Sequence, residues 1–483
     1  MVVMSQTIER KYEVMELSEI GKSLQMKVYA DTNKTLNLPR LSKITVNGLF
    51  SKFNYQIPLN SDERITILTA PNGYGKSTIL RLIFNCITCS MDFLSSTMFT
   101  TIRLDFDNDK FVENVRSVHP VANRITIKYL EGSSDQISGS GLFSCRLFNG
   151  PDAWLKVADT IEASSPHYEH LMADCFIDNR TGTSITQEQI AEQYLADNCH
   201  DDLMYGETKF IYELRQQSVL FIEANRLPLA LERDRQSDDG VSTSPVRAIS
   251  RLVLEHVNFA LSEYAQFSEL IDKGFTAQVL DAVSHEHDVM SMTNHPDVEV
   301  LIRLQAEVAH FEQKLAQLGL FSGHNFVHHN DIHSSDTVAN KVLYIHYNNV
   351  LSKHLKLKDV ASRLELFLDF LNEQFSFKHI NFSLSDGLRI KLDNDVTLEL
   401  DSLSSGEQHL LVLYGRLLFG ESHNLVLLDE PEISLHLEWQ LNFLKHVEKI
   451  AALRSFDVII ATHSPILING RDELMVELSE MVP

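Results

Sequence analysis

Residues 65–82 read ITILTAPNGYGKSTILRL: five residues fit for a buried strand, a loop carrying Gly73 and Gly75, the run Lys76-Ser77-Thr78, then an apolar helix. Such a loop cradles phosphates. Its glycines let backbone N–H groups turn inward, the following helix presents its positive end, and a lysine at that end reaches the terminal phosphates. The expected phosphate-binding set is Asn72, Gly73, Tyr74, Gly75, Lys76, Ser77 and Thr78. A strand passing directly into a helix through this loop also predicts an α/β core with a parallel sheet.

Composition bounds what such a core serves. The chain has 483 residues, 44% of them apolar and 22% charged, which is ordinary for a globular protein with a sizeable core. No apolar run is long enough to span a bilayer, and the charged N-terminus does not read as a secretory signal, so no membrane partner is expected. Five cysteines (Cys86, Cys89, Cys145, Cys175 and Cys199) are too few and irregular for a disulfide framework, which predicts a reducing, cytoplasmic setting. With 42 basic against 66 acidic residues, the net charge of −24 disfavours general nucleic-acid binding, which depends on Lys and Arg neutralising phosphates.

Around the loop, 41–49 and 52–59 alternate apolar and polar residues and read as an antiparallel pair. Segments 98–106 and 124–130 also alternate, with turn-rich residues between them, and predict a small antiparallel side sheet. Residues 131–150 read as loop, 185–217 carry helical spacing, 218–223 (SVLFIE) form a candidate buried strand, and 231–246 read as a polar surface loop. From 247 to 375 the pattern is helical. Leu301, Leu304, Val308, Phe311, Leu315 and Leu318 recur at alternating three- and four-residue steps, and Leu357, Val360, Leu364, Phe367 and Leu371 do so again. The pair predicts a short antiparallel coiled-coil hairpin, the first seam about 27 Å long at ~1.5 Å per residue. The expected division is an N-terminal lobe 1–246, a helical insertion 247–375 and a C-terminal lobe 376–483.

Three later motifs extend the phosphate site. LVLLDEPE (425–432) is a buried strand delivering Asp429 and Glu430 at its end; Asp429 suits a magnesium ion beside the Ser77 hydroxyl, and Glu430 suits polarising a water. LDSLSSGEQHLL (400–411) sets Ser404, Ser405, Gly406 and Glu407 where a turn opens a helix, a site that favours an anion or, alone, an ordinary capping box. DVIIATHSP (457–465) ends a strand in His463, one helix and one strand beyond Glu430.

Together the loop, the SSGE signature, the DEPE box and the terminal histidine resemble the ATP-binding-cassette ATPase family. Ala70 and Ser405 stand where the family usually has glycine. The resemblance implies an α/β ABC ATPase head with an antiparallel β side sheet. It implies ATP and Mg²⁺ as ligands, with Lys76 on the β/γ-phosphates and Ser77 and Asp429 on the metal. Glu430 would be the catalytic carboxylate and His463 the γ-phosphate contact. Ser404 and Gly406 would receive the γ-phosphate bound by a second copy, so the family implies a head-to-tail homodimer. Gln136 is the one candidate for the family's metal-contacting glutamine, and His436 would lie near the dimer seam.

The long interval from Lys76 to Asp429 resembles the SMC/Rad50/RecF/OLD-like branch rather than transporter ATPases. The wording of GLFSKFNYQI, APNGYGKST, LSSGEQHLLVLYGRLLF, LLDEPEISLHLEWQ and ATHSPILI is similar to OLD-like proteins. Few residues follow His463, so no nuclease domain of its own is expected. That combination resembles the PtuA-type ATPase subunits of the Septu anti-phage system, whose partner is an HNH nuclease. Related pairs accompany retrons, with a reverse transcriptase and its DNA product as further partners. Two alternatives stand beside it: a RecF-like DNA repair clamp, and a nucleotide-sensing scaffold with little turnover.

Other constellations carry less. Cys86 and Cys89 form a CxxC on the P-loop helix with no second pair, which reads as buried thiols rather than zinc. His324, His328, His329 and His333 read as a solvated loop or a partner contact, and His285, His287 and His295 likewise. Arg226 fits either an approach to the nucleotide or a surface ion pair. Tyr74 fits either packing near the base or a spacer in the loop.

Overall fold

The computed structural model describes residues 39–88, 91–119, 124–133, 136–146, 168–172, 175–178, 183–186, 218–223, 244–284, 298–321, 337–433 and 435–478. Arg226, the 231–243 loop, the helical pattern of 187–217 and the histidines at 285, 287, 295, 324, 328, 329 and 333 lie outside these residues, as do Cys89 and Cys199. The chain divides into two compact units, one comprising Asn60–Leu80 and Ser218–Glu477, the other the described parts of the remainder.

The first unit is built on a five-stranded sheet in the order Val219–Ile222, Leu425–Asp429, Asp457–Thr462, Ile65–Thr69 and Met475–Glu477, every pair parallel. Leu425–Asp429 is buried along its whole length, as expected of a parallel strand covered on both faces. Asp429 pairs with Ala461 and Thr462 with Thr69, so the chemistry-bearing strand ends finish level at one edge. Ligands of open parallel sheets bind at that carboxyl edge.

In the same core as this sheet lies the helix Ser405–Phe419, buried almost all round. A second helix, Pro245–Ser284, crosses it at Gly415, where an added Cβ would stand 2.3 Å from Ile249 Cγ2. The start of that long helix is fastened further. Arg247 bonds Asp401 at 2.5 Å and Glu399 at 3.0 Å, and Ser250 Oγ accepts the Leu388 N–H at 2.9 Å. Leu388 belongs to a small antiparallel sheet of Lys378–Ser383, Gly387–Leu392 and Thr397–Leu398.

The helical insertion forms, with a different pairing from the expected one. The first heptad seam lies on Val298–Gln317, which buries Leu301, Val308 and Leu315. Its neighbour is Thr337–His354, which also packs on the long helix Pro245–Ser284. Lys353 bonds Asp272 at 2.5 Å and Asn349 bonds Gln278 at 2.9 Å, so those two helices run antiparallel. His354 stacks on Phe311 and lies 3.6 Å from Glu312, which brings the C-terminal ends of Thr337–His354 and Val298–Gln317 together. The arm is therefore made of three helices, with Thr337–His354 packed on both of the others. The second seam belongs to Lys358–Gln374, which packs on the Ser405–Phe419 helix and buries Leu364, Phe367 and Leu371 in the core. Heptad spacing marks an apolar stripe without naming what covers it.

The second unit holds a six-stranded antiparallel sheet in the order Phe53–Pro58, Leu41–Leu49, Thr101–Phe106, Lys110–His119, Arg124–Ser133 and Gln136–Arg146. The first pair matches the sequence pattern. Segments 98–106 and 124–130 do not pair with each other, because Lys110–His119 lies between them. Its alternation is masked by Asn114, which is 1% exposed and donates to Cys86 Sγ at 3.4 Å. Within the stretch expected to be loop, residues 131–133 and 136–146 are strand: Gln136–Arg146 pairs antiparallel with Arg124–Ser133, its Ser and Gly content notwithstanding. Thr183–Thr186 is likewise a strand, in a three-stranded sheet with Cys175–Asp178 and Tyr168–Met172.

Two expected outcomes follow from this packing. Gly415→Ala gains about 1 kcal/mol of helix propensity, but the clash with Ile249 costs about 1–3 kcal/mol, so its melting temperature falls. His354, buried among Tyr264, Phe311 and Phe321, has its pKa pushed down to about 4, first by burial and then by Lys353. It stays neutral in the fold while the unfolded chain takes up protons near pH 6.5. Stability is thus full above that pH and drops by about 3 kcal/mol as pH falls to 4. Urea melts across this range check it, and His354→Leu flattens the slope.

Candidate functional site

The strand Ile65–Thr69 is apolar and buried, and the chain leaves its end through Ala70, Pro71 and Asn72. Gly73 and Gly75 both take φ +87°, a left-handed conformation that side-chain-bearing residues rarely adopt. At Gly73 nothing lies within 4 Å of an added Cβ, so its requirement is conformational rather than steric. Between them Tyr74 is half-buried and donates its N–H to Pro71 O at 3.4 Å. The helix Lys76–Thr88 then begins, with Ile79 N–H donating back to Gly75 O at 2.8 Å. The turn forms with Ala70 in place of a glycine.

Lys76 is 5% exposed, and its ammonium donates to Ala70 O at 3.1 Å while touching His463 Nε2. Burial pulls its pKa below the usual lysine value, while Glu430, Asp429 and Glu432 draw it back up. Ser77 Oγ donates to Asp429 Oδ1 at 2.8 Å, joining the loop to the strand that ends 352 residues later. Asp429 is buried, and Glu430 follows in a left-handed conformation (φ +46°), its N–H on Ala461 O at 2.8 Å. A non-glycine residue held there carries strain of about 1–3 kcal/mol, a pattern found at functional positions. Glu430 Oε1 lies 3.6 Å from His463 Nε2.

Lys76, Ser77, Asp429, Glu430 and His463 are therefore gathered at one edge of one sheet. A buried lysine beside three carboxylates leaves the locality negative. That excess, with a hydroxyl and a carboxylate 2.8 Å apart, matches the oxygen ligands and charge that Mg²⁺ requires.

Ser404–Glu407 open the Ser405–Phe419 helix. Ser404 is its N-cap in an extended conformation; its Oγ accepts the Glu407 N–H at 3.4 Å, and Glu407 Oε2 accepts the Ser404 N–H at 2.7 Å. The capping box is complete, with Ser405 and Gly406 in the first turn. Glu407 also takes Lys378 Nζ on both oxygens, at 3.0 and 2.7 Å. Although burial works to raise its pKa, the bonds from Lys378 and Ser404 hold it below the usual glutamate value.

The remaining candidates sit elsewhere or play other parts. Thr78 is half-buried in the first turn of the P-loop helix. His436 is exposed, with its ring edge on Trp439. Gln136 opens the strand Gln136–Arg146 of the other unit. Among the described residues no cluster of three or more His, Cys, Asp or Glu could hold a metal ion on its own. The motifs did not single out Lys378, Thr462 or Gln440, and gave Glu432 no role although it closes the DEPE box; all four bond directly to site residues or their flanks.

Among solved structures, the chain is similar to the Smc head domain of Pyrococcus furiosus, bound to the C-terminal domain of ScpA, at 14% identity, over 92% of this chain and 94% of that one, with a TM-score of 0.33. The SMC head domain of Thermotoga maritima matches at 10% identity over 91% and 94%, with a TM-score of 0.30. The Smc head domain of Pyrococcus yayanosii matches at 14% over 92% and 95%, with a TM-score of 0.29. These superpositions are loose. No curated protein matches the chain. The family model described as AAA ATPase domain matches residues 40–468, nearly the whole described chain. The phosphate-loop architecture agrees with that match, and the protein belongs to the AAA ATPase domain family and is an ATPase.

Proposed function

We propose that this ATPase is an ABC-type head of the SMC/OLD-like branch that hydrolyses ATP between two copies of itself and thereby controls a partner nuclease. The observation that carries the hydrolytic part is the 2.8 Å bond between Ser77 and Asp429, with Lys76, Glu430 and His463 around it. Lys76 Nζ would exchange its contacts with Ala70 O and His463 for the β/γ-phosphate oxygens, which meets the lysine's buried charge with an anion. The backbone N–H groups of the Asn72–Thr78 loop would hold the phosphates. Ser77 Oγ and Asp429 Oδ1 would hold Mg²⁺, which when bound supplies charge neutralisation on those phosphates. Glu430 would accept a proton from the attacking water at its carboxylate, and His463 Nε2 would face the γ-phosphate.

Ser404, Ser405, Gly406 and Glu407 lie at the start of a separate helix. In this reading Ser404 and Gly406 meet the γ-phosphate bound by a second copy, as they would in a head-to-tail homodimer. The nuclease partner is assigned as HNH-type, in an anti-phage system related to Septu or to a retron with its reverse transcriptase and DNA product. Support for that step is the wording of the five motif stretches, together with an acidic surface better suited to a protein partner than to DNA.

The decisive variant is Glu430→Gln, which keeps shape and removes the base. The ATP hydrolysis rate should fall about 100-fold or more, while Mg-ATP drives the chain into a dimer seen by light scattering. A nucleotide sensor with little turnover would instead behave as wild type. Asp429→Asn should abolish the magnesium dependence of ATP binding, measured by titrating a fluorescent ATP analogue with and without chelator. Expressed with its neighbouring genes, the wild-type chain should co-purify with an HNH nuclease, and alone it should leave DNA uncut.

A further inference from the structure

The turn Thr462-His463-Ser464 is held from below by two side chains, Glu432 and Gln440. Glu432 Oε1 accepts the His463 backbone N–H at 3.1 Å and the Thr462 hydroxyl at 2.5 Å. Thr462 Oγ1 in turn accepts the Ser464 N–H at 2.9 Å. Gln440, 8% exposed, accepts the Ser464 hydroxyl on Oε1 at 2.7 Å and donates from Nε2 to Leu435 O at 3.1 Å. Both side chains come from the segment that leaves the strand carrying Asp429 and Glu430. The position of His463 relative to Glu430 is therefore fixed within one short stretch of chain.

Glu432 Oε2 is buried and has no hydrogen-bond partner among the described residues, and the carboxylate adds negative charge to a site that already holds Asp429 and Glu430. A neutral glutamine could accept the same two hydrogen bonds on its oxygen, but would bury an unpaired NH2 group in place of Oε2, a defect of the same kind, about 1–3 kcal/mol. What the carboxylate adds is a shorter, stronger, charge-assisted bond to the backbone that carries His463.

We propose that Glu432 and Gln440 are positioning residues for ATP hydrolysis, acting through His463, whose ring they present to Glu430 and to the γ-phosphate seat. The assignment rests on the hydrolytic reading above. It differs from a role in nucleotide affinity, because neither side chain belongs to the loop that grips the phosphates.

The test is a set of double-mutant cycles on the full chain, reading kcat, ATP affinity by fluorescent analogue and melting temperature together. Glu432→Ala is expected to lower kcat about 30-fold, toward the level of His463→Ala, with ATP affinity changed less than about 3-fold. Glu432→Gln, which keeps an acceptor but loses the charge, should recover only part of that loss and covers the case in which the alanine variant fails to fold. In a His463→Ala background, Glu432→Ala and Gln440→Leu should each cost less than about 2-fold more. If those costs instead multiply with the loss of His463, or if Glu432→Ala stays within about 2-fold of wild type, the assignment is overturned. A wild-type chain that binds ATP and never turns it over would overturn the hydrolytic reading itself and this assignment with it.

Discussion

Leu425–Asp429 and Ile65–Thr69 flank Asp457–Thr462, paired so that Asp429 faces Ala461 and Thr462 faces Thr69. The site depends on this register. A parallel sheet buried on both faces cannot slip by one residue without turning its apolar side chains over. Its carboxyl edge is thereby fixed to within the length of a side chain. Ser77 can reach Asp429, and Glu430 can face His463, only because three strands drawn from widely separated parts of the chain end at one level.

Onto that edge the fold loads an unbalanced set of charges. One buried ammonium, Lys76, stands among the carboxylates of Asp429, Glu430 and Glu432. Such an arrangement is costly to bury. The Lys76 ammonium donates to the Ala70 carbonyl oxygen and touches the His463 imidazole.

Much of this was legible in the sequence, for a physical reason. The P-loop, the Asp429-Glu430 pair and His463 sit at strand ends, where an apolar run stops abruptly at polar residues, and such boundaries survive in one dimension. The structure brings all of them together. What could not be read was the pairing beyond the first two strands. Lys110–His119 hid behind Asn114, whose buried amide breaks the alternation, and Gln136–Arg146 hid in a Ser- and Gly-rich string. The heptad at 357–371 looked like the second half of a hairpin, yet it covers the core, since spacing describes one face and not its neighbour. Glu432 was in plain view, but its partners Thr462 and His463 are known only once the sheet is assembled.

The long helix Pro245–Ser284 has 40 residues, a rod of about 60 Å at ~1.5 Å per residue. It is pinned near one end, where Ile249 meets Gly415 without intervening side-chain volume and Ser250 ties it to the strand at Leu388. Along that length it also carries two polar contacts of the arm, Asp272 with Lys353 and Gln278 with Asn349. One continuous element therefore joins the packing of the arm to that of the Ser405–Phe419 helix.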